Sequence, residues 1–401
     1  MKQTILLFFI TVTLLLNSNA QSVITKDGKQ LNVITTAVPL LMIGPDARAG
    51  GMGDGGVASS PDANSMHWNP AKYARIADDM GFAFSYTPWL RNLVNDINLA
   101  YVSFYKRINT MSTFAATLRY FSLGEITFTD VNGGEIGTYK PNEFAIDATY
   151  SRILTDKLSL AVVGRFIYSD LTQGQFVAGV ETKPGTSVAA DIAMYWEDDV
   201  DWFKGMDAQF AWGINISNIG SKISYSGTNI EKDFIPTNLR IGPRLTLALD
   251  DYNTLSFQVD INKLLVPTPP IYSDSTDAGG NYIIEKGMNP NVSVITGMIQ
   301  SWYDAPGGFS EEMREFSFAF GTEYWYTDVL ALRGGFYYED LTKGNRKYAT
   351  LGVGLRYNVF GLDFSYLIPV TNDQNPLQNT LRFSLLFDLG KGKKTETTPA
   401  K

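Results

Sequence analysis

The chain has 401 residues, a formal net charge of −8 and no cysteine. Without cysteine there is no disulfide, no thiolate nucleophile, no cysteine-held zinc and no lipid anchor on a cysteine. The acidic balance, with a pI near 4.9, lacks the basic face that nucleic acid requires and excludes it as a partner.

The first twenty residues read as a secretory signal. Lys2 gives a positive start, Ile5 to Leu16 is an apolar run, and Ser18-Asn19-Ala20 supplies small residues for cleavage after Ala20. The run is too short to span a bilayer, and a membrane-anchoring helix is the alternative reading. Beyond residue 20 no apolar stretch of roughly 18 residues appears, which excludes membrane helices. Barrels escape that test because their lipid-facing and lumen-facing residues alternate. The 24 Phe, 21 Tyr and 7 Trp suit the aromatic girdles of such a barrel, and the 36 Gly suit bending strands.

Residues 21–79 have another character. Pro39, Pro45, Pro61 and Pro70 and the glycines Gly50, Gly51, Gly53, Gly55 and Gly56 interrupt any strand period. A compact N-terminal plug, or hatch, folded into a barrel lumen is the expectation. Gly51 to Gly56 satisfies G-x-G-x-x-G, but a dinucleotide site needs that motif inside a βαβ unit; a glycine-rich turn is the reading here. His67, the only histidine, stands beside Trp68 and reads as a packing or hydrogen-bonding residue, not a triad member or metal ligand.

From about Met80 onward the sequence falls into alternating segments of roughly 9 to 12 residues, the length of a tilted membrane strand. These are 80–88, 96–106, 112–122, 143–152, 157–168, 187–196, 206–218, 238–249, 253–263, 314–326, 329–338, 347–357, 360–368 and 379–388. The expectation is an all-β protein, a 14-stranded antiparallel transmembrane β-barrel over 80–389. Mid-strand charges keep to the polar face: Arg119, Asp147, Arg165, Asp191, Arg240, Arg244, Asp260, Arg333, Arg356 and Arg382. A Lys or Arg on the lipid face at mid-bilayer would cost about 2–4 kcal/mol.

Long and short connections alternate, which predicts external loops at one end and, at the other, periplasmic turns together with both termini. One gap breaks the rhythm: 197–205 is long for a turn, and its Asp198, Asp199 and Asp201 make half a calcium loop without the glycine and distal glutamate. The longest connection, 264–313, reads as irregular and external. It holds Pro267 and Pro269 and also Val292, Ile295, Met298 and Trp302, apolar residues that suit contact with the barrel rim, the lumen mouth or a partner. After Phe387 a Lys/Thr-rich tail, 390–401, reads as disordered and periplasmic.

The block Ala47-Arg48-Ala49-Gly50-Gly51-Met52-Gly53-Asp54, then Ser60-Pro61-Asp62-Ala63-Asn64 and His67-Trp68-Asn69-Pro70-Ala71, resembles the hatch of FadL-like outer-membrane proteins. Within that group it is similar to the PorV (LptO) family of the Bacteroidetes type IX secretion system. The resemblance implies a non-enzymatic protein, without cofactor or metal, in the bacterial outer membrane. Its implied partners are the SprA/Sov translocon barrel, secreted cargo bearing a C-terminal secretion domain, and the attachment complex with the PorU sortase. Gly50, Gly51, Gly53, Asp54, Asn69, Pro70 and Ala71 would then shape the hatch, with 264–313 facing translocon and cargo. A FadL-like transporter of hydrophobic small molecules is the alternative, and an outer-membrane lipase-type enzyme lacks an identifiable triad.

Overall fold

A computed structural model describes residues 31–89, 96–129, 133–174, 176–177, 180–226, 232–370 and 380–391. The signal at 1–20 and all but the first two residues of the tail 390–401 lie outside the described residues. Fourteen strands close into one antiparallel ring. They are β1 (Asp78–Pro88), β2 (Ile97–Asn109), β3 (Ser112–Leu123), β4 (Asn142–Ile153), β5 (Leu158–Asp170), β6 (Gly185–Val200) and β7 (Ala208–Gly220). The ring continues through β8 (Asn238–Ala248), β9 (Asn253–Leu264), β10 (Ser317–Tyr326), β11 (Leu330–Tyr338), β12 (Lys347–Tyr357), β13 (Phe360–Pro369) and β14 (Leu381–Lys391). The closing seam pairs β1 with β14 in register Phe82↔Phe387, and those two rings stack at 4.5 Å.

Alternation explains why these segments are strands. In β1, Phe82, Phe84 and Tyr86 are exposed while Ala83 and Ser85 are fully buried. Leu118 and Tyr120 point out of β3, and Thr117 and Arg119 point in. Successive residues face opposite sides of a strand, so one register gives an apolar exterior and a polar interior together. Nine of the ten mid-strand charges are buried on the inner face; the tenth, Arg356, is half-buried and pairs with buried Asp363 at 2.7 Å.

Three expectations are corrected. β6 runs on to Val200 because its ladder with β7 continues from Glu197↔Ala211 to Val200↔Ala208. Glu197, Asp198 and Asp199 are therefore strand residues, and the turn is 201–207. Residues 313–315 form a 3-10 turn instead of opening β10, because Glu315 bends inward to Lys263 and Lys343. The connection 265–316 is not irregular. It holds a hairpin (Ile271–Thr276 with Tyr282–Lys286) and a helix, Val294–Gln300, whose Ser293 accepts the Thr296 N–H as a cap.

The two chain ends expected in the periplasm lie outside the described residues. Asp78 and Lys391 lie together at the short-turn end, where they pair. The first described residues lie at the other end: the Asn32 N–H donates to Thr342 O, and the Ala37 N–H donates to Phe234 O. From there the segment runs through the ring to Arg75, which donates to Thr155 O and Asp156 O at the short turns. It consists of short helical turns joined by extended chain.

Candidate functional site

Residues 38–74 are almost entirely buried, and their hydrogen bonds reach strands all round the ring. At the short-turn side Asn69 opens the turn Pro70–Arg75. Its Oδ1 accepts the Ala71 N–H at 3.0 Å, and its Nδ2 donates to Val57 O and to Met194 O of β6, both at 2.9 Å. Ala71 O accepts Ser151 of β4 at 3.1 Å and Ser159 of β5 at 2.9 Å. Pro70 suits the first position of such a turn because its missing N–H has no partner to lose.

The glycine-rich turn presses on the opposite wall. Gly51 meets Gly352 of β12, and Gly53, with φ +71°, lies against the backbone of Phe336 and Phe320. At Gly335 of β11 an added Cβ would collide with the Gly53 backbone, so the wall is stripped to backbone where the turn touches it. Gly50 ends a short helix beside Ser365 and Arg382. Asp54 accepts from Arg382 and, at 2.6 Å, from the Tyr348 hydroxyl. The Gly56 and Val57 N–H groups donate to Asp260 at 2.7 and 2.9 Å.

Buried charge is neutralised in two chains of ion pairs. Arg119–Asp147–Arg165–Asp191 crosses β3 to β6 at 2.5–3.1 Å. On the other wall Glu323 takes a two-pronged contact from Arg48 at 2.7 and 2.9 Å and a third bond from Arg333 at 2.7 Å. Arg333 continues to Asp363 at 2.7 Å, and Arg48 reaches Asp62 at 2.8 Å. Sequence reasoning placed the strand charges on the inner face but not the role of Arg48, which is the link from the N-terminal segment to this chain. His67 Nδ1 takes the Arg119 Nη1 hydrogen at 3.2 Å, and its ring meets Trp68 edge-on at 4.6 Å. Among the described residues no group of three or more candidate metal ligands occurs. In the acidic stretch 197–205, Asp198 is held by Lys157 at 2.6 Å and Glu197 by Arg75 at 3.3 Å.

Above this packed layer, at the long-connection end, lies a cavity of about 730 Å³. Val33, Met42, Trp89 and Phe121 are among its apolar walls, and Trp68, Arg240 and Tyr348 among its polar and aromatic lining.

The connection 265–316 sits over the same end. Lys263, on the outward side of β9 by register, is enclosed beneath it. Its Nζ bonds Glu312 at 3.1 Å and Glu315 at 2.6 Å and lies over the rings of Trp302 and Phe316. Asp304 accepts from the Thr268 N–H and Gln300 Nε2 at 3.1 and 3.2 Å. Burial pushes its carboxyl up to about 6, aided by Glu312 and Glu315 and opposed by those hydrogen bonds. Of the residues expected to meet a partner, Pro267 is buried, and Pro269, Val292 and Met298 are half-buried. Ile295 and Trp302 are exposed, as are Ile299, Tyr303 and Phe309 of the same connection. Ile295 and Ile299 share one face of the helix Val294–Gln300 at i, i+4 spacing, legible once the segment is known to be helical, and Trp302 lies in the turn that follows it.

A profile of the family described as Type IX secretion system protein PorV matches residues 26–271, more than half of the chain. No curated protein matches the sequence. Solved structures similar to this chain include the Ralstonia pickettii toluene transporter TbuX, at 13% identity and TM-score 0.44 over 86% of this chain and 98% of that one. The Pseudomonas putida toluene transporter TodX matches at 11% and 0.46, covering 87% and 99%. A Pseudomonas aeruginosa FadL homologue matches at 11% and 0.43, covering 89% and 99%.

Proposed function

The chain belongs to the PorV family of type IX secretion system proteins and is an outer-membrane β-barrel component of that system, and from this premise we propose that it is a docking and escort protein. In this reading residues 31–77 are a plug, the long connections face outward, and the exposed face of 294–309 meets the SprA/Sov translocon barrel. Cargo with a C-terminal secretion domain is then received at the outer end and passed to the PorU attachment complex. No step asks for bond chemistry.

The observation that carries the reading is the uncharged face of Ile295, Ile299, Trp302, Tyr303 and Phe309. An exposed contiguous apolar face is a partner surface more often than a solvated one. Trp302 stands 6.2 Å from Phe316, which begins the outward stripe Phe316, Phe318 and Phe320. The face is therefore continuous with the lipid-facing wall and suits a partner standing alongside in the membrane. The packed ion-pair layer supports the same reading, since it leaves no described path for bulky cargo through the ring.

The cavity of about 730 Å³ with apolar walls favours a second reading, uptake of hydrophobic small molecules. Co-purification in mild detergent separates the two. The native chain should retain a very large barrel and secreted cargo, and Ile295→Asp with Trp302→Ala should lose the barrel while the chain stays folded. Recovery of the native chain alone, with poor growth on hydrophobic substrates when it is deleted, would favour uptake.

A further inference from the structure

We infer that residues 32–37 stand at the outer side of the membrane and strap together the external connections bearing the docking face.

The strap is read from its contacts. The Asn32 N–H donates to Thr342 O at 3.1 Å. Its side-chain amide donates to Pro269 O at 3.1 Å and to Glu311 Oε1 at 3.0 Å. One residue thus ties the connection 339–346 to both ends of 265–316. The same node is charged: Lys343 bonds Glu311 at 2.7 Å and Glu315 at 2.9 Å. Five residues on, the Ala37 N–H donates to Phe234 O at 2.9 Å. Phe234 lies against Gly297 of the helix Val294–Gln300, where an added Cβ would be 3.0 Å from its ring. The strap therefore reaches three connections, and through Phe234 it braces the helix that displays Ile295 and Ile299.

Val38 then turns the chain down into the ring. It adopts φ 52° and ψ 60°, the left-handed region that a β-branched side chain rarely enters. Its apolar cluster with Leu99, Phe121, Ala145 and Ile167 holds it there. The strap above and the packed segment below are thus parts of one chain with a fixed corner between them. Because Asp78 starts β1 at the opposite end, this segment crosses the whole thickness of the ring before the first strand.

The inference rests on the outward orientation of the long connections and not on any partner, so it can fail while the docking reading stands, and the reverse. The chain has no cysteine, which makes single-cysteine labelling clean. Val33→Cys in the strap, where the native side chain is exposed, Ser275→Cys in the external hairpin and Lys204→Cys in a short turn are each exposed to a membrane-impermeant maleimide on intact cells. Val33→Cys should label as Ser275→Cys does, and Lys204→Cys only after permeabilisation. Failure of Val33→Cys to label on intact cells, whatever follows permeabilisation, overturns the placement. For the strap, Asn32→Ala should raise amide exchange in 294–303 and 339–346 by about tenfold, while 57–76 is unchanged. Equal exchange in the variant and the native chain there overturns the bracing role.

Discussion

Replacing Asn69 by alanine removes three hydrogen bonds at one buried point. Two are amide donations to Val57 O and Met194 O, and the third caps the Pro70–Arg75 turn through Ala71 N. A net hydrogen bond is worth about 1 kcal/mol, and loss of a capping side chain costs about the same. The expected penalty is about 3 kcal/mol, or roughly a hundredfold in the local opening equilibrium, since about 1.4 kcal/mol is tenfold. Asn69→Asp separates the terms. It keeps the acceptor for Ala71 N but sets a carboxylate oxygen against two carbonyls, so it should open the segment further than alanine does. Hydrogen exchange with mass spectrometry on detergent-solubilised protein, read on peptides covering 57–76, measures both variants against strand peptides as an internal standard. An Asn69→Ala chain exchanging within threefold of the native one, or an Asn69→Asp chain more protected than Asn69→Ala, would refute the reasoning.

At Gly335 an added methyl meets the Gly53 backbone, so Gly335→Ala should lower the temperature at which the folded band is lost in semi-native gels. Gly334→Ala, whose Cβ would meet only a Thr322 methyl at 3.7 Å, should leave it unchanged. Glu323→Gln leaves Arg48 and Arg333 buried with one charge fewer between them, and should destabilise by about 3–5 kcal/mol in urea titration of the vesicle-inserted protein; a loss below about 1 kcal/mol would show the network to be dispensable. Asp304 has a folded-state value near 6, above the ordinary value near 3.9. The folded connection therefore binds the proton more tightly, and its destabilisation above pH 6 is relieved as pH falls toward 4. Glu311 is also buried, but the hydrogen bond and charge of Lys343 hold it below its ordinary value, a shift of the opposite sign to that of Asp304. Proteolytic nicking of 265–316 should be slower at pH 5 than at pH 7.5 with a protease of matched activity; faster nicking at pH 5 would contradict the assignment.

What the sequence determined by itself is the ring. A period of two, long enough to cross a bilayer and with every mid-strand charge on one face, has one solution in which apolar residues face lipid and charges face inward. Strand number, strand order and the long-and-short rhythm of the connections follow from that local pattern, because antiparallel neighbours in sequence are neighbours in space. Boundaries slipped where side chains from elsewhere decide them. β6 outruns its alternation because Lys157 and Arg75 neutralise its acidic end, and residues 314–316 leave the strand because Glu315 is drawn to two lysines.

The tertiary structure alone decided where the N-terminal segment runs. Its glycines and prolines announce the lack of strand period, and Asn69-Pro70 announces a turn, but nothing local says that Asn32 stands at the far end of the ring from Asp78. That direction is set by partners hundreds of residues away: Pro269, Glu311 and Thr342 for the strap, Glu323 for Arg48, and Gly335 and Gly352 for the glycine turn. The helix face of Ile295 and Ile299 was hidden for the same reason. A short helix among prolines forms only when it is braced against Phe234 and Pro267, so its periodicity is legible after the packing and not before.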